Sequence, residues 1–260
     1  MALELGLAGK VALITGGSEG LGRATAERLA AEGAHVAICA RRQGPLDQAQ
    51  QEIKAATGQD VLAVSADVIV PSDLERLVSA TTERFGEISI LVNNAGRSAA
   101  ESLLVADDAS WQEDLDLKVM GAVRLIRLVV PSMRRVGGGA IVNMTTPGGK
   151  APPAESVPTS VSRAAGIALT KAASKEFGRD GIRVNTVCIG SVKSMQIVRR
   201  AQATGQPVEE LYEEVGKTVP LGRIGEAEEV ADLVAFLVSD RAAYITGTSI
   251  NIDGGVSAVI

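Results

Sequence analysis

The sequence predicts an α/β protein: one doubly wound parallel sheet forming a single domain over residues 1–260. Three observations carry that expectation. Short apolar runs alternate with longer amphipathic stretches along the whole chain, with no repeat or low-complexity linker between them. The first apolar run passes directly into a glycine-rich turn and then into a helical pattern. Aromatic residues make up only 2% of a chain that is 46% hydrophobic, so Ala, Val, Leu, Ile and Gly must fill the core. Such residues suit helices packed closely on a parallel sheet.

The elements follow in order. Residues 11–15 are a continuous apolar run ending in glycines, as a strand buried on both faces should be. Residues 21–32 read as a helix, with Ala24, Leu29 and Ala30 among its apolar positions and Gly33 near its stop. Strands are expected at 36–40, 61–65 and 90–92, and helices at 46–56 and 72–85. A single long helix is predicted over 111–135, then a strand at 140–144, a helix at 161–177 and a strand at 184–189. The polar segment 195–216 reads as an insertion with its own helix, a candidate substrate lid. A last helix (226–238) and a last strand (249–252) close the chain. Sheets of this kind bind ligands outside the carboxyl ends of their strands, so the loops there hold the function.

Composition narrows the function classes. A net charge of −5 offers no general basic field for nucleic acid. No stretch approaches the roughly 20 apolar residues that a membrane span needs, and the first ten residues lack the pattern of a secretory signal. Cys39 and Cys188 sit inside apolar runs and read as structural thiols. His35 is the one histidine and has no partner cluster, so no metal site is expected. Tyr244 reads as structural, and Tyr212 as a packing residue, its alternative being a proton donor swung in from a lid. A cytoplasmic protein acting on a small molecule, with no nucleic-acid or membrane partner, is the expectation.

The turn after the first strand reads Thr15-Gly16-Gly17-Ser18-Glu19-Gly20-Leu21-Gly22. Gly16 permits the tight turn, Gly20 lets backbone approach a pyrophosphate, and Gly22 allows helix and sheet to pack closely; the helix N-terminus offers free N–H groups to the anion. With a strand before it and a helix after it, this is the dinucleotide-binding turn of the Rossmann fold.

The spacing T-G-x-x-x-G-x-G resembles the short-chain dehydrogenase/reductase family, and more of that family's motifs follow in order. Asp67-Val68 stands where the family holds the adenine ring. Asn93-Asn94-Ala95-Gly96 matches its N-N-A-G, Ile141-Val142-Asn143 its fifth-strand motif, and Ile189-Gly190 its P-G turn with Ile in place of Pro. Asn251-Ile252-Asp253-Gly254-Gly255 resembles its C-terminal strand and turn. The resemblance implies a cofactor site made by Gly16, Ser18, Gly20, Leu21, Gly22, Asp67, Val68, Asn94, Ala95, Gly96, Arg163, Ile189, Gly190 and Val192. It also implies a homotetramer or homodimer joined through the helices at 111–135 and 161–177. Cofactor choice is read at the end of the second strand, where Ala40 replaces the acidic residue that selects NAD and Arg41-Arg42 follow. Guanidinium opposite a 2′-phosphate favours NADP(H), with NAD as the alternative and Glu19 as a charge of the wrong sign in the loop.

The catalytic pattern departs from the family's. Its Ser falls on Thr146, its Tyr on Thr159, its Lys on Arg163 and its Asn on Lys118, with the spacing of the first three kept. Thr146 keeps a hydroxyl that can polarise a carbonyl. Arg163 keeps a charge that can hold the ribose but cannot relay a proton. Thr159 cannot replace a phenol that titrates near 10, and a positioned proton transfer contributes about 10²–10⁴ in rate. Lys118, in an apolar helical run, is the candidate replacement because burial lowers an ammonium's pKa; a snorkelling lysine or an ion pair with Asp114 is the competing reading. The function expected is hydride transfer to or from a small carbonyl, imine or enone, the alternative being a non-catalytic dinucleotide-binding protein.

Overall fold

A computed structural model describes residues 4–259; the predicted domain limits at 1 and 260 lie outside them. Seven parallel strands form one sheet in the order β3-β2-β1-β4-β5-β6-β7. They are β1 (Val11–Thr15), β2 (His35–Ala40), β3 (Val61–Ser65), β4 (Ile90–Asn93), β5 (Gly139–Thr145), β6 (Ile182–Ile189) and β7 (Ser249–Ile252). The helices are α1 (Gly20–Ala31), α2 (Gln43–Thr57), α3 (Pro71–Phe85), α4 (Asp108–Leu115), α5 (Gly121–Arg135), α6 (Thr159–Phe177), α7 (Met195–Thr204), α8 (Val208–Gly216) and α9 (Ala227–Val238).

Neighbouring residues of one strand serve opposite faces. Ile14 joins α1, α2 and α9 through Leu29, Leu46 and Val234. Leu13 joins α3 and α5 through Leu74, Leu125 and Val129 on the other side. This alternation follows from the pleat, and each such side chain, once fully buried, stabilises the fold by about 1.5–3 kcal/mol. Strand order reverses between β1 and β4, so a crevice opens beyond their carboxyl ends.

Three expectations need correction. The predicted helix over 111–135 is α4 and α5 joined by a π-helical turn at Asp116–Met120. It starts early because Asp107 caps it, accepting from Ser110 N at 2.8 Å. The insertion at 195–216 contains two helices, separated at Gly205 (φ +72) and Pro207. Tyr244 is no packing residue, because it is fully exposed in the turn after Ala242. Tyr212 is half-buried, its ring 5.4 Å from Lys193 Nζ.

Candidate active site

The glycine turn is built by β1 and buttressed by the segment after β4. Thr15 Oγ1 accepts from the backbone N of Asn94 and of Ala95, each at 3.0 Å. Asn94 Nδ2 donates to the carbonyls of Thr15 (2.9 Å) and Gly16 (3.2 Å). Gly20 has φ +55, and a Cβ there would meet no atom within 4 Å, so the backbone is bare towards the crevice. Glu19, at the N-cap of α1, makes no side-chain bond to its helix. The first amides of α1 therefore keep their capacity for an anion.

A cleft of about 710 Å³ lies over this turn. Four of the predicted residues on its wall come from the glycine loop: Gly16, Ser18, Gly20 and Leu21. Arg41 and Arg42 follow β2, Asp67 and Val68 follow β3, and Asn94, Ala95 and Gly96 follow β4. Ile189, Gly190 and Val192 close the far side after β6. Gly22 is the exception. It is buried off the wall, where a Cβ would fall 2.2 Å from Gly16 O, so its role is to let α1 close on the turn. A bare glycine backbone, free helix amides and a flanking pair of guanidiniums together fit a phosphorylated dinucleotide.

The four candidate catalytic residues divide into two pairs. Thr146 and Arg163 stand on the cleft wall. Arg163 donates from Nη1 to Met144 O at 2.6 Å, while Nη2 lies 2.9 Å from where a Cβ on Gly96 would be. A side chain at 96 would make this guanidinium shift. Burial lowers the pKa of Arg163, and its Nε is buried with no hydrogen-bond partner.

Lys118 and Thr159 are off that wall and bonded to each other. The Lys118 side chain, 1% exposed, rises from the π-helical turn, pairs with Asp114 and donates from Nζ to Thr159 Oγ1 at 3.0 Å. The ion pair with Asp114 is thus present, and it lies buried beside Thr159. Asp114 also accepts from Ser162 Oγ at 2.6 Å. Desolvation, helped by the Arg163 charge and opposed by Asp114, brings the Lys118 ammonium down to about 8. Thr159 Oγ1 accepts a second bond from Ala99 N at 2.8 Å, which leaves its own proton to donate. Lys118 and Arg163 also share, with Asn93, Thr145 and Ser162, a small cavity of about 20 Å³, enough for one water.

A family model described as enoyl-(acyl carrier protein) reductase matches residues 16–257. The chain belongs to the short-chain dehydrogenase/reductase family. It is 34% identical over 250 residues to a 3-oxoacyl-(acyl-carrier-protein) reductase of Staphylococcus epidermidis, covering 95% of this chain and 98% of that one. Among solved structures it is similar to L-sorbose reductase of Gluconobacter frateurii, complexed with NADPH and L-sorbose (TM-score 0.95, 35% identity, 99% of this chain and 100% of that one). It is also similar to an NADPH-bound short-chain oxidoreductase of Pseudomonas aeruginosa described as containing an atypical catalytic center (TM-score 0.91, 34% identity, 96% and 98%).

These relatives favour an oxidoreductase over the non-catalytic alternative. Sequence reasoning on this dehydrogenase/reductase missed three groups. Ser162 gives no motif signal beyond being a hydroxyl inside a helix. Ala99 acts through its backbone, which no side-chain pattern reveals. Arg199, on the cleft wall from α7, was hidden in a segment read only as a lid. Cys39 and Cys188 are both buried, and burial pushes the Cys39 thiol up to about 12, as a structural thiol requires.

Proposed function

We propose that this protein is an NADPH-dependent reductase of small carbonyl compounds in which Lys118 is the proton reserve and the Thr159 hydroxyl its outlet. The observation that carries the proposal is the hydrogen bond from Lys118 Nζ to Thr159 Oγ1. Lys118 is sealed from solvent, whereas Thr159 is only half-buried, so a proton leaving the ammonium passes through the threonine hydroxyl. The cofactor, when bound, supplies the hydride. The glycine loop and the α1 N-terminus would hold its pyrophosphate, and Arg41 and Arg42 its 2′-phosphate. Arg163 would hold the ribose, and Thr146 would donate to the carbonyl oxygen and fix its orientation.

As the carbonyl oxygen gains charge, Thr159 hands over its proton and takes one from Lys118. An ammonium of pKa about 8 remains mostly protonated at neutral pH, yet it gives up its proton far more readily than an exposed lysine. Iminium and enone substrates, which need less acid, suit the same arrangement. A homotetramer or homodimer and a cytoplasmic location belong to this reading. The exposed Val161 of α6, and Leu103 and Leu104 before α4, are apolar side chains that an association would cover. Among the described residues no helix is long and apolar enough to cross a membrane. Oxidation of NADPH against a panel of ketones, cyclic imines and enones tests the proposal. Turnover with at least one class supports it, and nucleotide binding without turnover of any would overturn it.

A further inference from the structure

Glu19 carries a negative charge in the glycine loop, on the same cleft wall as the Arg41-Arg42 pair. Two arginines hold it, one on each carboxylate oxygen. Arg42, following β2, donates from Nη2 to Glu19 Oε1 at 2.8 Å, and Arg199 of α7 donates from Nη2 to Oε2 at 3.2 Å. All three residues, with Arg41, stand on the wall of the cleft. One carboxylate thus brings side by side two guanidiniums from elements far apart in the chain.

We propose that Arg199 is a specificity-determining residue of the 2′-phosphate site, recruited from α7 and set beside Arg42 by Glu19. The inference rests on the NADPH reading above. The charges explain why a third arginine is needed. Glu19 offsets Arg42, which would leave Arg41 alone against a phosphate monoester of about −1.5 to −2. Arg199 restores an excess of two positive charges. Both guanidiniums remain half-exposed, at 62% and 58% for their side chains, and exposed ion pairs are weak. A phosphate dianion, with more charge and oxygens suited to a guanidinium fork, draws both away from the carboxylate. The contact that α7 makes through Arg199 would thus depend on the group that separates NADPH from NADH.

Calorimetric titration of wild type and Arg199→Gln with NADPH and with NADH tests this without any turnover. Arg199→Gln is expected to weaken NADPH by about five- to tenfold, the loss of one charge-assisted contact. NADH should change by less than about twofold, and the NADPH difference should shrink in high salt as the charges are screened. Equal weakening of both nucleotides would make Arg199 a lid anchor only and overturn the inference. So would an unchanged NADPH affinity, which would leave the arginine an idle surface pair. A wild type with no preference for NADPH is a different failure: it contradicts the cofactor reading itself. The side chain is exposed, so folding of the variant is expected and is checked by its thermal melt.

Discussion

Lys118 is a buried charge, and the fold meets the cost of burying it with Asp114 on the preceding turn and the Thr159 hydroxyl. Lys118→Met keeps much of the volume and removes the proton. On the proposed reading, reduction falls by about 10²–10⁴ while NADPH affinity changes little; comparing kcat with a nucleotide titration separates the two effects. Replacing Thr159 by Tyr together with Arg163 by Lys restores a phenol beside an ammonium. This double variant is expected to raise the rate with simple ketones by at least tenfold, read as NADPH oxidation, whereas Thr159→Tyr alone gains less because Arg163 cannot relay a proton. These residues were legible as candidates, Thr159 and Arg163 from the retained spacing and Lys118 from its apolar helical run. Their pairing was not, because spacing does not reveal that Lys118 turns towards Thr159 and away from the cleft.

At the scale of elements, two features position the site: the glycine turn into α1 and the π-helical turn between α4 and α5. A π-helical turn inserts a residue into the helix ladder, and such turns recur at functional sites. Here it carries Lys118. The apolar pattern runs through it without a break, which is why the sequence predicts one continuous helix. The strands were legible to within a residue or two because a buried parallel strand is an uninterrupted apolar run, as in β1 and β2. Tyr244 misleads for the opposite reason, since an aromatic residue in a turn carries no periodicity to say which way it faces. The glycine turn makes a stability prediction. A methyl at Gly22 would meet the carbonyl oxygen of Gly16 at 2.2 Å, and a backbone oxygen cannot swing aside. Gly22→Ala is expected to destabilise by about 1–3 kcal/mol, and thus to lower the Tm by several degrees for a chain of this size. An unchanged melt would mean that α1 stands off the loop.

For the whole molecule, the parallel sheet and its strand reversal decide where the cleft lies, and the loop chemistry decides what the cleft holds. One titration, that of the buried Lys118, reaches global stability. The folded pKa of Lys118, about 8, lies below the ordinary value of 10.5, so between those pH values the unfolded chain binds more protons than the native one. Stability from this residue therefore rises as pH increases through that window, and the cost of burying the ammonium is present in full below it. Denaturant titrations at pH 7 and pH 10 should show a smaller gain, or none, in Lys118→Met. An identical pH dependence in both proteins would mean that the lysine is not desolvated.

The central claim is that Lys118 supplies, through Thr159, the proton that the carbonyl oxygen takes up as hydride reaches its carbon. The most direct measurement is the pH–rate profile of single-turnover NADPH oxidation, wild type against Lys118→Met. The account predicts a wild-type rate that falls as pH rises through about 8, where the ammonium is lost, and a slower variant whose profile is flat there. A wild-type rate independent of pH across that range, or a variant with the same rate and profile, would contradict it.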